Sequence, residues 1–72
     1  SIMNAEQYLD ETTELNGTAI HIITYKIGDE YHCHITNADP GATIARASGA
    51  SREAARDAAV SKATNRLIPK KV

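Results

Sequence analysis

The sequence predicts a single α+β domain of order α-β-β-β-α, a three-stranded antiparallel sheet with two helices packed on one face. Three features lead there. Residues 18–27 and 30–37 are rich in β-branched and aromatic residues, and only Gly28-Asp29 separates them, the spacing of a two-residue hairpin. Asp39-Pro40-Gly41 is a turn signature from which a third strand can leave, because Pro presets φ and Gly accepts a positive φ. Ala55, Ala59, Ala63 and Leu67 recur every four residues, so a C-terminal helix can lay a stripe of small side chains close to the sheet.

The first helix is expected over residues 4–13. Asn4 can cap it with Gln7 reaching back, Ala5, Tyr8, Leu9 and Thr12 fall at helical spacing, and Gly17 is a natural stop. Closing the Gly28-Asp29 turn between Ile27 and Glu30 sets the register of the hairpin: Tyr25 faces His32, Thr24 faces Cys33, Ile23 faces His34 and Ile22 faces Ile35. One face then carries Ile20, Ile22, Tyr31, Cys33 and Ile35 as a core. The other carries His21, Ile23, Tyr25, Ile27, His32 and His34, an unusual set for a solvated surface. The third strand is expected over residues 42–48 with Ile44 opposite Ile35. Ser51 then caps a helix over residues 51–67, Pro69 prevents its continuation, and residues 68–72 form a basic tail.

The chain has 72 residues, three tyrosines and no Phe or Trp. A domain of this size buries only about 60% of the surface its unfolded chain exposes. No deep pocket is expected, and no enzyme. Alternation points Cys33 away from His32 and His34, so no nucleophile–base pair forms, and Gly49 stands alone rather than in a phosphate-binding loop. His32 and His34 share a face with His21, but without an evident fourth ligand they make no metal site, and no cofactor is expected. The single cysteine excludes an internal disulfide and fits a cytoplasmic location. The longest apolar stretch falls far short of the roughly 20 residues that span a bilayer, so no membrane role is expected. Ser1 is not an initiator residue, which suggests a chain processed, tagged or cut from a longer one.

Charge is unevenly divided. From Ser1 to Thr36 one basic residue stands against six acidic ones, and from Asn37 to Val72 seven basic stand against three acidic. The asymmetry suggests a polyanion for the second half, or self-association between halves. The run Gly49-Ala50-Ser51-Arg52-Glu53-Ala54-Ala55-Arg56-Asp57-Ala58-Ala59 resembles the closing G-x-S-K-K-x-A-K-x-x-A-A pattern of the double-stranded RNA-binding domain. Tyr31 to Thr36 looks like that family's second strand, and Leu9-Asp10-Glu11 is weakly similar to its first helix. The resemblance implies weak, salt-sensitive binding of double-stranded RNA at the start of the C-terminal helix, with Arg52 and Arg56 where the family places phosphate-bridging lysines; the capping Ser51, Lys62 and the tail residues Lys70 and Lys71 are further nucleic-acid candidates. Glu53 replaces a family lysine, and Gly28-Asp29 is shorter than the family's minor-groove loop.

The alternative is a protein-interaction or homodimerisation module without RNA affinity, using His21, Ile23, Tyr25, His32 and His34. Its architecture is also similar to small antitoxins of the HicB type, through the Ala38-Asp39-Pro40-Gly41 turn and the G-x-S-x-E opening of the helix.

Overall fold

A computed structural model describes residues 6–38 and 42–67. Its order is β1 (Glu6–Leu15), β2 (Thr18–Ile27), β3 (Glu30–Asn37), β4 (Thr43–Gly49) and α1 (Arg52–Arg66). The strands form one antiparallel meander in the order β1-β2-β3-β4, and α1 lies across β4 and β3 with less reach over β2. The expected α-β-β-β-α order is therefore corrected to β-β-β-β-α: the sheet has four strands and one helix covers it. Residues 6–13, expected to be helical, pair with β2 instead.

The reason lies in Asn16-Gly17. Both residues have positive φ, 52° and 82°, the pair of left-handed conformations a type I′ hairpin requires and Asn-Gly readily adopts. A strand that leaves such a turn folds back antiparallel to β2, and eight paired residues outweigh a short helix that would be marginal alone. Near its start β1 carries a bulge: Glu6 pairs Lys26 and Leu9 pairs Thr24, so β1 holds one extra residue, with Gln7 at φ 52°. The bulge brings Tyr8 beside Tyr25, with ring centroids 6.2 Å apart.

The second hairpin follows the expected register, from Ile27 opposite Glu30 to Ile22 opposite Ile35. Gly28 has φ 60° and Asp29 has none of the positive φ seen in a type I′ turn, which fits type II′. A further irregularity separates Ile35 and Thr36 on β3, so Ile35 lies opposite Ala45 rather than Ile44 as expected, yet both Ile44 and Ala45 are buried. The Asp39-Pro40-Gly41 turn and the basic tail of residues 68–72 lie outside the described residues.

Ile20, Ile22, Cys33, Ile35, Ile44 and Ala45 from the sheet enclose Ala55, Ala59 and Ala63 from α1. Three alanines let the helix axis approach the pleat, and Gly49 extends that closeness to its entry. A Cβ at Gly49 would lie 3.0 Å from both the Ala54 Cβ and the Ala55 N. The Ser51 side chain accepts from the Ala54 N–H at 3.0 Å, as expected for the cap. At the other end Asn16 Nδ2 donates to the Leu67 carbonyl at 3.4 Å, tying the first turn to the end of the helix.

Among the described residues no strand lies beyond β4, and α1 supplies donors there. Lys62 Nζ bonds the Arg46 carbonyl at 3.1 Å, and Arg66 bonds the Ile44 carbonyl.

Candidate functional site

Alternation divides the sheet into a face under α1 and an open face. On the open face Tyr8, Asp10 and Thr12 come from β1, and His21, Ile23, Tyr25 and Ile27 from β2. His32 and His34 join them from β3, Arg46 and Ser48 from β4. The expected interaction residues His21, Ile23, Tyr25, His32 and His34 are thus brought together, and the corrected topology adds Tyr8, Asp10 and Arg46.

Tyr25 is the centre of this face. Its ring is stacked between Tyr8, at 6.2 Å, and His32, at 5.5 Å, and meets His34 edge-on at 5.4 Å. The Tyr25 hydroxyl lies 2.9 Å from His34 Nε2, a bond the hydroxyl donates when His34 is neutral. Neutrality is favoured there: burial lowers the pKa of His34 below the ordinary imidazole value, and Arg46 and His32 lower it further. Tyr8 is 63% exposed, so the rings form a ladder across three strands with solvent above its outer end. His21 Nδ1 lies 3.1 Å from Asp10 Oδ1, and His32 Nε2 3.3 Å from Glu30 Oε1, both at the margins of the face. Among the described residues, no three His, Cys, Asp or Glu side chains gather as a metal site.

The expected nucleic-acid residues are dispersed. Ser51 is occupied as the helix cap. Arg52 turns inward: it bonds the hydroxyl of Thr24, which is fully buried, donates to the Gln7 carbonyl at 2.6 Å, and lies 5.8 Å from the centre of the Tyr31 ring. Tyr31 in turn donates to Gln7 Oε1 at 3.3 Å. Arg56 Nε pairs with Glu11 Oε2 at 3.2 Å, each side chain more than a third exposed. Such a half-exposed pair contributes about 0–1 kcal/mol. Lys62 stands on the opposite flank of α1, over β4. Between the flanks the exposed crest of α1 carries Glu53 and Asp57, which repel a polyanion. Lys70 and Lys71 lie outside the described residues.

The sequence does not single out Gln7, Glu11 and Thr24 as partners of Arg52 and Arg56, although they decide where the two arginines point. The signal that could have found them is Asn16-Gly17: once residues 6–15 are a strand, Glu11 falls opposite Ile22 on the helix side, within reach of Arg56.

Cys33 is fully buried on the covered face. Burial pushes its thiol up to about 11, against a lowering by Arg56 and with a smaller rise from Glu11, so it stays protonated at neutral pH and is a core group.

No helix among the described residues is long and apolar enough to cross a membrane. Comparison with protein-family models, with curated proteins and with solved structures finds no match.

Proposed function

We propose that the chain is a small non-catalytic interaction module that forms a homodimer through the open face of its sheet. One observation carries this reading: the ladder Tyr8, Tyr25 and His32, flanked by Ile23 and Ile27, lies on the side that α1 leaves uncovered. An antiparallel sheet that faces water on one side ordinarily presents polar residues there. Large rings and isoleucines in that position fit a contact surface.

The nucleic-acid reading has less support in the geometry. Arg52 and Arg56, the two residues on which it depends most, already bond Thr24, Gln7 and Glu11. Binding RNA would require those contacts to be given up.

Analytical ultracentrifugation across a concentration series tests the reading. The mass of the unmodified chain should rise from one chain toward two, while Tyr25→Glu should remain at one chain and keep its circular dichroism spectrum. A single-chain mass at every concentration, together with NMR shifts at residues 49–56 on titrating a short RNA duplex at low salt, would replace it with the nucleic-acid reading.

A further inference from the structure

The strand registers align four open-face residues in one row. Asp10 is opposite Ile23, Ile23 opposite His34, and His34 opposite Arg46. Across the sheet the row reads acid, aliphatic, imidazole, base. The rows on either side are Tyr25, His32 and Ser48, with Tyr8 stacked on Tyr25, and Thr12, His21, Thr36 and Thr43.

A dimer of identical chains usually has two-fold symmetry, and a face that packs on itself must complement itself. For two sheets stacked face to face with their strands aligned, the in-plane axis runs close to perpendicular or close to parallel to the strands. An axis perpendicular to the strands lays β1 on β1, bringing Asp10 and Glu14 toward the same residues of the second copy and Arg46 toward Arg46. Like charges then meet at both edges. An axis parallel to the strands reverses every row. Asp10 then lies over Arg46, Ile23 over His34, Tyr25 over His32 and Thr12 over Thr43, and opposite charges meet at both edges.

We infer that two copies pack open face to open face about a two-fold axis parallel to the strands, with Asp10 of each copy paired to Arg46 of the other. This rests on the homodimer reading above and specifies its geometry. Among the described residues Arg46 has no ion pair within its own chain, and it stands exposed at the end of the row. Asp10 has His21 beside it, at the margin of the face. The central positions of the row are Ile23 and His34, so closure buries a neutral strip between two charged rims, the usual division between interface core and rim. Four strands about 4.8 Å apart and about seven residues long give a face of roughly 19 Å by 23 Å. That lies at or below the small end of stable interfaces, so the dimer dissociates in the micromolar range or above.

Charge exchange tests the geometry. Asp10→Lys and Arg46→Glu should each weaken self-association at least tenfold. An equimolar mixture of the two variants should form a heterodimer, since both rim pairs are then restored, and the double variant should self-associate like the parent. Circular dichroism of each variant reports whether the fold is kept. A second measurement avoids the charges. Thr12 and Thr43 lie on opposite edges of one sheet, about 14 Å apart by strand spacing, too far for an intramolecular disulfide. Thr12→Cys with Thr43→Cys should therefore give a disulfide-linked dimer on mild oxidation, whereas Thr12→Cys alone should not. A parent that dimerises and is dissociated by Tyr25→Glu, but whose charge variants fail to complement and whose Thr12→Cys chain cross-links alone, would overturn the axis and leave the homodimer reading standing. A parent that never dimerises overturns both.

Discussion

The two faces of this one sheet solve opposite packing problems. Under α1 the side chains are aliphatic or small: Ile20, Ile22, Cys33, Ile35 and Ala45 meet Ala55, Ala59 and Ala63, all nearly inaccessible. On the open side the dominant groups are rings, and they pack on one another across strands rather than against a second layer. A helix needs small residues to approach a pleated surface closely, whereas rings that stand side by side can shelter each other without one. The difference teaches that the first face serves folding, while the second is left with surface to offer.

Truncating matched residues on the two faces should separate these roles most clearly. Ile35→Ala removes a fully buried side chain and should cost about 2–5 kcal/mol in urea unfolding. Ile23→Ala, on the open face, should cost the isolated chain less than about 1 kcal/mol while reducing self-association. Similar losses at both positions would mean that the open face is as much a core as the covered one.

A smaller contrast concerns two arginines. Arg52→Ala leaves the buried Thr24 hydroxyl without its donor and should destabilise by about 1–3 kcal/mol. Arg46→Ala should change monomer stability by no more than about 0.5 kcal/mol. Thermal melts at low protein concentration distinguish them.

The smallest expected effect is that of acid. The pKa of His34 is lowered in the fold, so the unfolded chain takes up its proton first. The stability this contributes is complete above the ordinary imidazole pKa of about 6.5 and is lost as pH falls from there through the folded value. Acid should also remove the acceptor of the Tyr25 hydroxyl. Melting temperature should fall from pH 7 toward pH 5, and His34→Gln should flatten that slope. An unchanged slope would mean that His34 does not carry the acid sensitivity.

Much of the fold was legible where local chemistry leaves few alternatives. Gly28-Asp29 admits a two-residue turn and little else, so the register from Ile27 to Ile22 follows from counting. Ser51 with the alanine stripe located the helix and the side it buries. β1 was obscured because an edge strand needs little apolar alternation: Glu6, Asp10, Glu11 and Glu14 interrupt the period-two pattern, and the extra residue at Gln7 breaks it again. Tyr8, Leu9 and Thr12 then matched a helical spacing by coincidence, and Gly17 could be read as the end of a helix as readily as the second residue of a hairpin turn. That error carried into the site. With residues 4–13 read as a helix, Arg52 and Arg56 have no visible partners and look free to meet phosphate; with Glu6–Leu15 as a strand, Gln7 and Glu11 come within reach of them. The open-face histidines and Tyr25 were legible because alternation alone assigns them.

The donors that Lys62 and Arg66 place on the carbonyls of β4 have a consequence for how this protein can misassemble. Edge-on growth of a sheet into a fibre needs two free margins, one to receive each newcomer and one to present to the next. Here Lys62 and Arg66 occupy the Arg46 and Ile44 carbonyls at one margin, so a strand adding along β4 must displace them. Departure of the helix would leave both carbonyls open to a newcomer.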